Sequence, residues 1–307
     1  MREAAADEAA AERPLAGVSW LRGLLFETCL GLGRPWRPRF EQLSSWVARE
    51  PEEIREIQDR LLGDLLVHAI RHVPYYRRLL GDHPVARALE SAGATGRRQL
   101  ARTLLVQIPP LDRPTLRREF DQLRSNDLAH RSWRVDGTGG STGQPVRFIV
   151  DREHGLWRFA AEHLFDGWAG VVPGMRRMRL WGSARQLGGE RETIGRRLYR
   201  WRRNERSLDS FRMTSSQMRR HAARLNQWRP GHLIGYADSL HAFARFLERS
   251  GLAVVAPASI MSSSGTLFPE HRRIIERVFG APVFDRYAAR EVGAIAAEDA
   301  AHEGLVV

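Results

Sequence analysis

The chain reads as an α/β domain built on a largely parallel sheet, and three observations predict it. From Val146 onward, short apolar runs alternate with longer stretches of helical periodicity, the pattern of strands joined by crossover helices. The 307 residues are 43% hydrophobic, enough for a real core in one large or two ordinary domains. No internal repeat or long linker interrupts the alternation.

In chain order, residues 1–13 are rich in Ala, Glu and Arg and read as disordered or loosely helical. Residues 20–32 have a short amphipathic pattern, which Arg34-Pro35-Trp36-Arg37-Pro38-Arg39 breaks. Packing of this Trp/Arg segment on the domain is preferred over contact with an anionic membrane. Residues 1–50 are therefore set apart as an N-terminal extension, partly disordered or helical, ahead of a domain over 51–307.

Residues 51–71 predict a helix. Pro51 suits a first turn, and Ile54, Ile57, Leu61, Leu62, Leu65, Leu66 and Ala69 share one face. Pro74 ends it. Residues 81–113 are loop-rich with short helices, Pro109-Pro110-Leu111 opens a new unit, and 115–123 reads as helical. A strand at 146–150 leads to a helix at about 154–168, and Arg179-Leu180-Trp181 reads as a short buried strand. A helix over 216–228 ends at Pro230-Gly231. Leu233-Ile234-Gly235 is the next strand, followed by a helix over 239–250. Ala253-Val254-Val255, residues 258–261 and Pro282-Val283-Phe284 read as strands, with a helix over 269–279 between the last two.

The formal net charge is +12, and the 48 basic residues are all arginine, with no lysine anywhere. No step in these residues can use a lysine amine as Schiff base, phosphate ligand or acid. A strongly basic chain attracts polyanions: nucleic acid, an anionic membrane or anionic small molecules. The single cysteine, Cys29, excludes an intramolecular disulfide and a cysteine-cluster metal site, and suits the cytoplasm. No secretory signal is read, and no run is long and apolar enough to span a bilayer.

The most informative stretch is Gly137-Thr138-Gly139-Gly140-Ser141-Thr142-Gly143-Gln144-Pro145. Glycine lets backbone N–H groups approach an anion, and hydroxyls add donors around the same oxygens. A loop so built suits phosphate. It lacks the Gly-Lys-Ser/Thr of a Walker loop, and a strand rather than a helix follows it, unlike a dinucleotide fingerprint. A plain glycine-rich hairpin is the alternative.

Thr138-Gly139-Gly140-Ser141-Thr142-Gly143-Gln144-Pro145 resembles the phosphate loop of adenylate-forming enzymes, the superfamily of acyl-CoA synthetases. Further blocks are similar to its phenylacetate–CoA ligase-like branch, including the CapK-type members. They are His68-Ala69-Ile70-Arg71-His72-Val73-Pro74-Tyr75-Tyr76-Arg77, Arg179-Leu180-Trp181-Gly182-Ser183 and Leu208-Asp209-Ser210-Phe211-Arg212-Met213. Gly235-Tyr236-Ala237-Asp238-Ser239-Leu240 and Phe284-Asp285-Arg286-Tyr287-Ala288-Ala289-Arg290-Glu291 follow. The blocks stand in family order from about position 60 to the C-terminus.

The resemblance implies the large N-terminal domain of an adenylate-forming enzyme: mixed, mostly parallel sheets flanked by helices. Residues 51–307 would be that domain, cut short at its C-terminal end, with the C-terminal lid absent. It implies ATP-dependent activation of a carboxylic acid to an acyl-adenylate, with transfer to CoA or another acceptor and a link to surface polysaccharide. The implied cofactors are ATP, Mg²⁺ and CoA. The implied partners are a small carboxylic acid, a nucleotide and a second copy of the chain in a homodimer, with neither a membrane span nor nucleic acid.

By the same resemblance, Thr138, Gly139, Gly140, Ser141, Thr142 and Gly143 clamp pyrophosphate, with Thr142 counted as catalytic. Glu291 is the second catalytic residue and helps place Mg²⁺. Tyr287 lies against adenosine, with Arg286 beside it. Ala288 stands where the family has glycine, a methyl that crowds the nucleotide or is absorbed if φ is negative. Ser264 and Gly265 line the adenine pocket, Gly265 standing where many relatives have Glu. Trp181, Tyr236 and Ala237 line the acyl pocket.

Bland alternatives stand beside these. Tyr287 and Glu291 could be a core tyrosine and a surface Arg290–Glu291 pair, and Trp181 and Tyr236 could be core aromatics. Glu298, Asp299 and His302 are read as a solvated acidic loop rather than a zinc site. Eleven arginines between 176 and 206, with Trp181, Tyr199 and Trp201 among them, would serve nucleic acid, CoA phosphate or an anionic partner. A lidless nucleotide-binding relative and a basic nucleic-acid binder remain the other function classes.

Overall fold

The computed structural model describes residues 35–138, 145–182, 198, 200, 201 and 203–307. The expectations for residues 1–13 and 20–32 lie outside them. The chain divides into two compact units, Pro38–Ala160 and Ala161–Val307, the second including Met1–Arg37.

The first unit is mostly helical. α1 (Arg37–Val47) begins inside the segment read as a breaker, because both prolines fall at or before its first turn. α2 (Pro51–His72) starts at Glu50, whose N–H donates to the Glu53 carboxylate at 3.4 Å. Its buried face carries Gly63, Leu66, Val67 and Ile70, while Leu61 and Leu65 are exposed. The sequence pattern thus set the face too far to one side, because apolar residues ring this part of the helix. Gly63 permits close approach of α5 (Ala94–Leu105): a Cβ there would lie 3.3 Å from the Arg97 Cβ.

Pro74 does two things. It holds Val73 extended (φ −107°, ψ 111°), ending α2, and it opens α3 (Pro74–Leu80) as a first-turn residue. Leu80, Leu89 of α4 (Pro84–Ser91), and Ala101 and Leu104 of α5 complete this unit's core. α6 (Arg113–Arg118) starts two residues earlier than the sequence pattern suggests, because the Asp112 carboxylate accepts from the Thr115 N–H at 2.8 Å. β1 (Trp133–Gly137), which sequence reading passed over, pairs antiparallel with β2 (Arg147–Asp151). α7 (Arg152–Trp168) follows, and the boundary between the units falls within it.

The second unit carries a six-stranded sheet of order β4-β3-β5-β6-β7-β8. These are β3 (Arg177–Leu180), β4 (Glu205–Leu208), β5 (His232–Tyr236), β6 (Ser259–Ser263), β7 (Val283–Ala289) and β8 (Gly293–Ala297). The first five are parallel and β8 is antiparallel, as expected of an α/β domain with a largely parallel sheet. α8 (Ser215–Trp228), α9 (Ala237–Ser250) and α10 (Pro269–Phe279) make the crossovers. Thr214 caps α8 through the Gln217 N–H, and Gly251 and Gly280, both at positive φ, close α9 and α10. Leu180, Leu208, Leu225, Leu233, Phe243 and Ile260 form the core between sheet and helices.

Two local readings are corrected. Residues 253–255 form no strand, because the Asn226 side chain takes over their backbone: its Nδ2 donates to the Ala253 carbonyl at 3.0 Å and its Oδ1 accepts from the Val255 N–H at 2.8 Å. The acidic loop after β8 is not merely solvated. Glu298 is buried and accepts both hydrogen bonds of the Arg272 guanidinium, at 2.6 and 2.7 Å.

Under the sheet lies a buried ionic cluster that the sequence did not disclose. Asp166 pairs with Arg177 at 2.7 Å and Arg203 at 3.7 Å. Arg203 also meets Glu162 at 3.3 Å and Glu205 at 3.9 Å. Burial pushes the Glu162 and Asp166 carboxyls up, but arginines, led by Arg203 for Glu162 and Arg177 for Asp166, hold both well below the usual carboxylate range. Breaking such a pair strands a buried charge. Asp166→Asn is expected to lower unfolding free energy by about 3 kcal/mol or more in urea titration. An unchanged urea midpoint would show that the cluster does not hold the sheet.

His232 sits in the same cluster, its Nδ1 2.9 Å from the Ser259 hydroxyl. Burial first, and Arg177 second, push its pKa down to about 3. In the unfolded chain a histidine titrates near about 6.5, so the unfolded state takes the proton first. The contribution is therefore complete above about pH 6.5 and is lost as pH falls toward 3, at up to about 1.4 kcal/mol per unit. His232→Gln is expected to remove that much slope from stability between about pH 6 and 5. His68, His221 and His241, also shifted down by burial, retain theirs.

Candidate functional site

The parallel strands run in the order 2-1-3-4-5, counting from β3 as the first. The chain passes outward from β3 to β4, then returns across β3 to build β5, β6 and β7 on the other side. The carboxyl ends of β3 and β5 therefore flank the point where the winding reverses, which is where open α/β sheets leave a crevice for ligands.

Aromatic side chains from both strands meet at that point. Trp181 follows β3 and Tyr236 ends β5, their ring centroids 4.2 Å apart. The Tyr236 hydroxyl donates to the Gly182 carbonyl at 2.7 Å, so the polar tip is fixed while the ring faces Trp181. The Arg179 guanidinium lies 4.8 Å from the Trp181 ring centroid. Trp181 also packs on Ile234, Met261 and Phe284, so it is both core and wall. Ala237 is fully buried at the first position of α9. Its side chain cannot line a pocket, and what it offers is backbone at the start of the helix.

Ser264 and Gly265 come next along the same edge, directly after β6. Ser264 has φ +55°, a left-handed value that costs a serine strain and fixes the exit of the chain. A Cβ at Gly265 would stand 3.4 Å from the Ala237 Cβ, an ordinary contact, so the position has room for a side chain. On β7, Arg286 is buried, 8% exposed, in the field of Glu162 and Asp166. Its charge is engaged by the ionic cluster beneath the sheet.

Tyr287 is 59% exposed, which rules out the core-tyrosine alternative. Ala288 pairs with Ala294 and is not at positive φ, so its methyl is absorbed by ordinary strand geometry, beside a bulge between Tyr287 and Ala288. Glu291 is exposed in the turn to β8 and makes no ion pair among the described residues, so the Arg290–Glu291 pair does not form. Among the described residues, no three His, Cys, Asp or Glu side chains converge as metal ligands.

The glycine loop belongs to the other unit. Gly139, Gly140, Ser141, Thr142 and Gly143 lie outside the described residues. Thr138 closes the base of the loop. Its N–H donates to the Val146 carbonyl at 2.9 Å, and its hydroxyl accepts from the Val146 N–H at 3.1 Å. Strands precede and follow the loop, as read against a dinucleotide fingerprint.

The structure thus brings Trp181, Tyr236, Ser264, Gly265 and Tyr287 to the carboxyl half of one sheet, with Glu291 in the turn after β7. Sequence reading missed the buried Asp166 and the half-buried Glu162. Their i,i+4 spacing on a predicted helix was the available signal.

No family model matches the chain. Protein CapK of Staphylococcus aureus is 25% identical over 189 residues, which cover 60% of this chain and 41% of CapK. Among solved structures, 2-hydroxyisobutyryl-CoA ligase in complex with 2-HIB-AMP and CoA in the thioesterification state superposes with TM-score 0.57 and 17% identity. That match covers 84% of this chain and 54% of the ligase. An open conformation of the same ligase, in complex with 2-HIB-AMP and CoA, gives 0.55 over 81% and 57%. This is the fold of the adenylate-forming superfamily. The chain spans well under half of CapK and a little over half of the ligase. No helix among the described residues is long and apolar enough to cross a membrane. Within the adenylate-forming fold, Tyr236→Phe removes one hydrogen bond and leaves the Gly182 carbonyl unpaired. Urea denaturation is expected to show a loss of about 1 kcal/mol.

Proposed function

We infer that the chain is the large domain of an ATP-dependent ligase that activates a carboxylic acid as its acyl-adenylate and passes the acyl group to CoA or another acceptor. The observation that carries this reading is the set of aromatic and small residues along one carboxyl edge of a parallel sheet, at its point of reversal. The fold and the CapK likeness support it. A cytoplasmic setting, a homodimer and a link to surface polysaccharide belong to the same reading.

In the first half-reaction a substrate carboxylate oxygen attacks the α-phosphorus of ATP, and the bond to pyrophosphate breaks. In the second, a thiol sulfur attacks the acyl carbon and AMP leaves. Ser141 and Thr142 would donate to the pyrophosphate oxygens, where charge accumulates. Tyr287 would lie along adenosine, and Trp181 with Tyr236 would wall the acyl group. Glu291, exposed and without an ion pair among the described residues, fits the role of a lone carboxylate toward Mg²⁺, which binds through one or two carboxylates plus substrate phosphates. Bound there, Mg²⁺ would neutralise phosphate charge.

The test is exchange of labelled pyrophosphate into ATP by the native full-length product across a panel of carboxylic acids. Exchange with at least one acid is expected, lowered about 10²-fold or more in Thr142→Ala and in Glu291→Ala. ATP binding by calorimetry without exchange for any acid would replace the ligase with a nucleotide-binding relative.

A further inference from the structure

Along the edge strand β4, between it and the end of α8, lies a cavity of about 520 Å³. Its wall is the edge strand β4, which pairs only with β3 among the described residues. The last two turns of α8 face it. Met178 and Leu208 give it an apolar floor, and Ser207 and Gln227 bring a hydroxyl and an amide. The volume is that of a small-molecule site.

Arg200, Arg206 and Arg224 line it, and Arg176 stands behind Trp228. Arg206 lies 3.6 Å from the Trp228 ring centroid and Arg176 5.1 Å from it. Arg176 also donates to the Trp228 carbonyl at 3.0 Å. Arg224, one turn back on α8, lines the same space. None of Arg176, Arg206 and Arg224 has a carboxylate partner among the described residues, whereas their neighbours Arg177, Arg179 and Arg203 are all paired. The carboxylate that reaches this wall, Glu205, is committed to Arg179 and Arg203. The indole N–H of Trp228 is buried and makes no hydrogen bond. A stacked guanidinium keeps its N–H edge for an anion, and a fork of two such edges matches phosphate. Arg206 and Arg224, cations without a carboxylate partner among the described residues, line one cavity and call for an anionic occupant.

We propose that this cavity is a second ligand site and that it binds a small phosphate ester. The phosphate sits between Arg206 and Arg224, and the organic part extends along β4 toward Ser207 and Gln227. None of Trp181, Tyr236, Ser264, Gly265 and Tyr287 lines this cavity, so its occupant is distinct from a substrate held by those residues.

The probes are inorganic phosphate, glucose 1-phosphate and UMP, titrated into the whole chain with indole fluorescence and melting temperature as readouts. One of the two esters is expected to bind below about 1 mM, with inorganic phosphate about ten-fold weaker or more. Preference for glucose 1-phosphate assigns a sugar phosphate, and preference for UMP a nucleotide. Arg206→Gln and Arg224→Gln are each expected to weaken the ester about ten-fold (about 1.4 kcal/mol) while leaving ATP affinity and circular dichroism unchanged. Equal binding to wild type and both variants would overturn the proposal, as would failure of both esters to bind. Loss of the ester in Thr142→Ala alone would also overturn it, by placing the ester on the glycine loop.

Discussion

The ion pair between Arg177 and Asp166, closed at 2.7 Å beneath the sheet, is the constraint on which the second unit depends. It ties the end of α7 to the start of β3. Through Arg203 and Glu205 it extends to β4, and Arg286 brings β7 into the same field. Buried charges cost several kcal/mol each to desolvate, so the cluster persists only because every acid faces more than one guanidinium. Arginine suits this work better than lysine, because its charge survives burial and its planar fork meets two carboxylates at once. A chain without lysine can therefore build an ionic layer under a sheet at little risk of losing the charge.

That layer explains where the sheet can present chemistry. Beneath it, Arg177, Arg179 and Arg286 are drawn to acids, and His232 is held neutral by burial. The sheet's carboxyl half is left to short side chains and aromatics: Ser262, Ser263, Ser264, Gly265, Trp181 and Tyr236. The strain at Ser264 and the bulge in β7 both fall there, where the backbone leaves regular strand geometry to present loops.

The same pairing changes the meaning of the arginine-rich stretch from 176 to 206. Arg177, Arg179 and Arg203 turn inward to acids, so they are unavailable to an external polyanion. Among the described residues, Arg176, Arg206 and Arg224 gather around Trp228 with no carboxylate partner. The compositional excess of arginine is partly structural and partly a discrete site, a division that net charge cannot express.

Local sequence patterns were enough to predict the α/β class, the strands at 179–181, 233–235, 258–261 and 282–284, and the helices between them. Each is set by local periodicity, caps and prolines, which act within a few residues. Resemblance to the adenylate-forming family, carried by short blocks of sequence, marked Trp181, Tyr236, Ser264, Gly265 and Tyr287. Tertiary structure decided what depends on partners far along the chain. β4, β1 and β8 are short and polar or small, and become strands only because a neighbour supplies their hydrogen bonds. Residues 253–255 lose their strand because Asn226 supplies those bonds first. Ala237 is sealed and Arg286 is drawn to Glu162 and Asp166 for the same reason: burial and charge pairing depend on which residues meet across the fold, and no local pattern records that.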